Sequence, residues 1–157
     1  MMRYFWLLGL VVVLFACDTN RVYETNTDLA DEQWTKDQIV SFDFDIEDAN
    51  QAYNLYANIR NAQHYPYHNL YYQYELRDSV GTGLKKELQN IILFEPKTGE
   101  PFGEGLGDIF DHRQLLLEQF KFPAPGSYSM SLQQYMRNDT LPLIMSVGVR
   151  VEKAATE

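Results

Sequence analysis

The sequence predicts an all-β protein, an antiparallel two-sheet β-sandwich of about eight strands. Three observations carry that expectation. From residue 39 onward, apolar residues alternate with polar ones in run after run, the period of a half-buried strand. Turn-forming residues separate those runs at fairly regular spacing. Tyr occurs 11 times in 157 residues, which suits half-buried strand faces, and no stretch carries a convincing helical period.

The elements follow in order. Residues 17–36 are polar and read as a tether, although Arg21-Val22-Tyr23-Glu24 could begin a first strand and Trp34 could pack on the domain edge. The sandwich is expected over 37–157. In "IVSFDFDIED", Val40, Phe42, Phe44 and Ile46 share one face, with Ser41, Asp43, Asp45 and Glu47 opposite. "YNLYANIRNA" puts Tyr53, Leu55, Ala57 and Ile59 together, and "LYYQYELRD" does the same for Leu70, Tyr72, Tyr74 and Leu76. "ELQNIILFE" and "RQLLLEQFKF" suit either helix or strand; the turn residues Pro96 to Gly99 point to a hairpin continuing through Phe102 to Gly105. "GSYSMSLQQYMR" alternates until Tyr135, which is out of phase and reads as a bulge. "LIMSVGVRVEK" is the closing strand.

Composition narrows the function. A chain of 157 residues makes one domain of ordinary size. The net charge of −9 argues against nucleic acid and against electrostatic docking on anionic lipid. One Cys excludes an internal disulfide and a multi-cysteine metal cage.

That cysteine stands at a boundary. Tyr4 to Ala16 is continuously apolar or small behind a single charge, Arg3. The run is shorter than the about 20 residues a bilayer span needs, and it fits the h-region of a secretory signal. Leu14-Phe15-Ala16-Cys17 resembles a bacterial lipobox, in which the Cys17 thiol takes a diacylglycerol thioether and cleavage before it frees an α-amine for acylation. Residues 1–16 are therefore expected to be a cleaved lipoprotein signal peptide. Their removal deletes Arg3 and takes the net charge from −9 to −10. One acyl chain holds only marginally, whereas two or three on one residue give a stable membrane anchor.

Several stretches resemble the GldH family of gliding-motility lipoproteins of Bacteroidetes: "CDTNRVYETN", "YNLYANIRNAQHYPYHNLY", "GEGLGDIFD", "FKFPAPGSYSMSLQQYMR" and "VGVRVEK". They lie in order along nearly the whole mature chain. The resemblance implies a small lipoprotein needed for cell gliding, beside other gliding lipoproteins and the type IX secretion system. It implies no catalytic activity and no cofactor beyond the covalent lipid on Cys17. No dense charged run follows Cys17, so the periplasmic face is expected rather than the cell surface. Asp18 after the cysteine is an inner-membrane signal in enterobacteria, a rule that need not extend to Bacteroidetes, and the outer membrane is the expected place.

Other candidate sites compete with plainer readings. Arg60 with Tyr65, Tyr67, Tyr71 and Tyr72 has the composition of a protein-contact patch, against the reading of ordinary strand and corner residues. Trp34 and the Tyr65–Tyr72 group would serve the rival function, a glycan-binding module of the envelope. Asp78-Ser79-Val80 and Asp139-Thr140-Leu141 resemble the acceptor for O-glycans in exported Bacteroidetes proteins, with Ser79 and Thr140 expected in loops. Asp43, Asp45, Glu47 and Asp48 lack the Gly and bidentate Glu of a calcium loop and read as a solvated strand face. His64 and His68 are separated by Pro66, which forbids the helix that would converge them on a metal. Gly103, Gly105 and Gly107 lack the spacing of a phosphate loop and read as backbone devices. Asp108, Asp111 and His112 could form an acid–base set, but no nucleophile accompanies them.

Overall fold

The computed structural model describes residues 19–155. The Cys17 site and the signal segment lie outside them. The chain runs through β1 (Arg21–Asp28), β2 (Gln33–Thr35), β3 (Val40–Ile46), β4 (Tyr53–Ala62), β5 (Asn69–Asp78), β6 (Gly83–Ile92), β7 (Glu104–Leu106), β8 (Ile109–Phe120), β9 (Gly126–Gln134), β10 (Thr140–Pro142) and β11 (Ile144–Lys153). Eight of these are long; β2, β7 and β10 have three residues each.

The long strands form two antiparallel sheets. One has the order β1-β11-β4-β8-β7, the other β3-β9-β5-β6, and β10 and β2 pair separately. The sheets meet through the alternating faces read from the sequence. Val40, Phe42, Phe44 and Ile46 are buried, as are Tyr53, Leu55, Ala57 and Ile59, and Leu70, Tyr72, Tyr74 and Leu76. At one end the core is aromatic: Phe122 lies 4.5 Å from the Tyr128 ring, 5.0 Å from Phe120 and 5.6 Å from Tyr53. Near the edge of β8, a Tyr72 hydroxyl donating to Gln114 at 2.7 Å ties the two sheets together.

Four expectations are corrected. Residues 17–36 are not all tether: β1 is an eight-residue edge strand paired with β11, so the sandwich begins at residue 21 rather than 37. Trp34 is not at an edge but fully buried, paired with Leu141 across β2 and β10, with its indole N–H donating to the Gln38 carbonyl at 3.1 Å. The hairpin over 96–99 holds at its tip, where the Glu95 carboxylate accepts the Lys97 and Thr98 amides. Beyond the Phe94–Pro101 bridge the arms part, β6 to one sheet and β7 to the other. Tyr135 is not a bulge: β9 stops at Gln134, whose buried amide accepts the Met136 N–H and donates to the Asn138 carbonyl, turning the chain.

Candidate functional site

The outer face of the five-stranded sheet carries a polar ladder. Strand alternation puts Tyr56, Asn58 and Arg60 of β4 on the side away from Leu55, Ala57 and Ile59. Register then aligns three rungs. Glu24, Arg150, Tyr56 and Leu115 form one; Asn26, Gly148, Asn58 and Arg113 the next; Asp28, Ser146, Arg60 and Asp111 the third.

Glu24 is the hub. Its carboxylate accepts from Arg150 at 2.8 Å, Asn58 at 3.1 Å, Arg113 at 3.2 Å and Arg21 at 3.3 Å. Arg150 is buried and also binds Glu152, whose other oxygen accepts the Tyr56 hydroxyl at 2.7 Å. Burial raises the Glu24 carboxyl pKa, but hydrogen bonds from Arg150, Asn58 and Arg21 outweigh it and hold the group below its ordinary 4.5. Gly148 makes room for this packing, because a side chain there would collide with the Asn26 carboxamide and the Thr25 carbonyl.

Beside the ladder lies a groove of about 900 Å³. Arg60, Asp111 and Arg113 line it from one sheet, Asn90 and Ile92 from the other, and Phe102 from the crossing segment. The groove follows β8 past residue 111, where pairing with β7 ends, so this edge has no strand partner among the described residues. Arg60 pairs with Asp111 and Arg113 with Glu24, Glu104 adds a further carboxylate, and amides are frequent, while Phe102, 61% exposed, adds an apolar rim. Such a surface can accept an extended chain through its free backbone edge.

The residues named as one contact patch are dispersed. Arg60 makes a two-point ion pair with Asp111, at 2.7 and 3.1 Å, on the outer face of the five-stranded sheet. Tyr71 is exposed on the outer face of the opposite sheet, between buried Leu70 and Tyr72. Tyr65 is 5% exposed, its hydroxyl donating to the Asn69 carbonyl, and Tyr67 is half-buried against its ring. Tyr65 and Tyr72 are thus core residues and Trp34 is buried too, so of the residues expected as glycan platforms only Tyr71, exposed, and Tyr67, half-buried, reach the surface.

Ser79 is exposed in the β5–β6 turn, which Asp78 closes by accepting the Val80 and Thr82 amides. Thr140 is exposed but lies in β10, paired with Thr35, rather than in a loop. Asp43, Asp45 and Glu47 are exposed along one side of β3, and His64 and His68 are exposed on the β4–β5 loop. Asp111 and His112 point to opposite sides of β8, since adjacent strand residues alternate. His112 is buried under Gly103, where a side chain would press on its Nε2, and that nitrogen has no hydrogen-bond partner. Burial holds its pKa below the usual 6.5 against the opposing pull of Asp111. Gly107 takes φ of +67° in the β7–β8 turn, the backbone use expected of it.

Sequence reasoning missed Glu24, Asn58, Arg113, Arg150 and Glu152. The available signal was Arg150 itself, a cation flanked by valines in an otherwise apolar strand, which demands an anionic partner from a neighbouring strand.

Residues 21–151, from the first residue of β1 into β11, match the family model described as GldH lipoprotein. A protein of Christiangramia forsetii, "Gliding motility lipoprotein GldH homolog", is 32% identical over 151 residues, covering 92% of this chain and 91% of its own. "Gliding motility lipoprotein GldH" of Flavobacterium johnsoniae is 29% identical, covering 94% of each chain. Among solved structures, the infectious bursal disease virus VP2 subviral particle overlaps with a TM-score of 0.41 at 11% identity, over 87% of this chain and 33% of the viral one.

Proposed function

This chain belongs to the GldH lipoprotein family, and from that premise we propose a non-enzymatic, lipid-anchored protein that acts as an interaction component of the gliding machinery associated with type IX secretion. The observation that carries the reading is the extent of the match: it spans the sandwich, and the curated relatives are aligned over nearly their full length. Those relatives are named gliding-motility lipoproteins, which supports a lipid anchor at the cell envelope. Cys17 is the residue to carry the lipid, and the outer membrane, facing the periplasm, is the compartment we favour. Lipidation restricts the domain to a thin layer and raises its effective concentration for partners in that layer.

The partner contact belongs at the β8 groove. An extended segment there gains backbone hydrogen bonds from the free edge, with Arg60, Arg113 and Phe102 on its flanks. Catalysis is not part of the proposal, because Asp111 is engaged by Arg60 and His112 faces the other side of the strand. The test is photocrosslinking in the native host from a reactive group at Leu115, with Ser129 on the opposite sheet as control. Capture of gliding or type IX envelope proteins from Leu115 and not from Ser129 is expected. Equal capture from both positions, or none from Leu115, would remove the groove from the reading.

A further inference from the structure

We propose that the sandwich stands end-on on the bilayer that holds its lipid, with loops 47–52, 79–82 and 121–125 against the phospholipid headgroups. This rests on lipidation at Cys17 and adds which surface meets the membrane.

The leash is short. Cys17 and Asn20 are three residue steps apart, at most about 11 Å at ~3.8 Å per step. Asn20 is already held by the sheet, its carbonyl accepting the Lys153 N–H at 2.8 Å, and Arg21 pairs with Glu152. The same end gathers the Ala52 carbonyl, which accepts from Ala154 at 2.9 Å, the Tyr53–Phe120 pair, and the Ile46–Gly126 and Asp78–Tyr128 pairs of the other sheet. Three loops therefore lie at the same end of the sandwich as the point where the chain leaves for the anchor.

The opposite end is out of reach. β4 runs from Tyr53 to Ala62, which places the 63–68 loop roughly 30 Å away at ~3.3 Å per residue. There Gln63 bonds Asp108, and the β9–β10 connection lies nearby. That end could touch the bilayer only if the domain lay down.

Lying down is electrostatically unfavourable. β1 is an edge strand beside β3, so a domain tipping toward its anchor would land on that flank. The flank exposes Asp28, Asp43 and Asp45, with Ser127 and Ser129 rather than cations across from Asp45 and Asp43. Anionic headgroups repel that row. The anchored end instead offers small uncharged tips, Val80 (84% exposed) and Pro123 to Pro125, with Arg21, Lys121 and Lys153 set against Glu47, Asp48 and Asp78.

The lone cysteine makes the test direct, because a second cysteine is the sole free thiol of the lipidated protein. A fluorophore is placed by Ala124→Cys or Val80→Cys at the near end and by Gln63→Cys at the far end. Each lipidated protein, purified from its host, is reconstituted into phosphatidylethanolamine–phosphatidylglycerol vesicles containing lipid with a headgroup spin label. Severalfold stronger quenching at 124 and 80 than at 63 is expected. Equal quenching at both ends in protein that floats with vesicles would overturn the end-on orientation and leave lipidation standing. Protein that fails to float, with Cys17 open to maleimide, would overturn both.

Discussion

Single residues hold this sandwich together where strands must carry charge. Glu24 gathers three arginines and an amide, and Arg150 is too deeply placed to be left without anions. Glu24→Gln is expected to cost about 2 kcal/mol, less than the several kcal/mol of stripping a buried ion bare, because Glu152 still pairs Arg150. Denaturant titration checks it. The Glu24 pKa lies below its ordinary 4.5 when folded, so its contribution is complete above that value and is lost as pH falls through the depressed one. The variant should lose that part of the acid sensitivity. His112 acts at higher pH. Burial lowers its pKa in the fold while the unfolded chain takes a proton near 6.5, so stability drops as pH falls below that value. Melting temperatures at about pH 7.5 and about pH 5.5 should differ more for the natural protein than for His112→Gln.

At the scale of elements, the first strand and the short β2 segment are the instructive pieces. Their sequence is polar and reads as a leash, because an edge strand needs apolar residues on few positions. In the structure β1 completes the ladder and β2 buries Trp34 under Leu141. A chain starting at residue 37 should therefore fail to fold, losing a Trp worth about 3–5 kcal/mol in a typical core as well as the Glu24 hub. Proton NMR dispersion decides this: well-dispersed amide signals from such a chain would show that β1 and β2 are dispensable.

For the whole molecule, position is as important as surface. With the lipid on Cys17, as proposed, the short connection to the sheet would make the sandwich a block with a near and a far end rather than a floating head. Ser79 lies at the near end and Thr140 at the far end, so a glycan on each would meet different surroundings. Cys17→Ala should release the protein from the membrane fraction entirely, since the domain is acidic and its exposed apolar residues are small at the anchored end. Firm retention after carbonate washing would contradict the lipid anchor.

By itself the sequence determined the fold class, the phase of β3, β4 and β5, and the family. These follow from local alternation and from ordered stretches of similarity, which need no knowledge of neighbours. It also pointed to Cys17, because a lipobox is recognised as a linear segment. What the tertiary structure decided was pairing between distant strands. Residues 24, 58, 113 and 150 become one ladder only when β1, β4, β8 and β11 align, and Tyr65 is separated from Tyr71 because the β4–β5 loop folds Tyr65 into the core while β5 turns Tyr71 outward. Periodicity tells a residue which side of its own strand it occupies. It cannot tell which strand lies beside it, and the groove, the ion network and the two ends of this protein all depend on that.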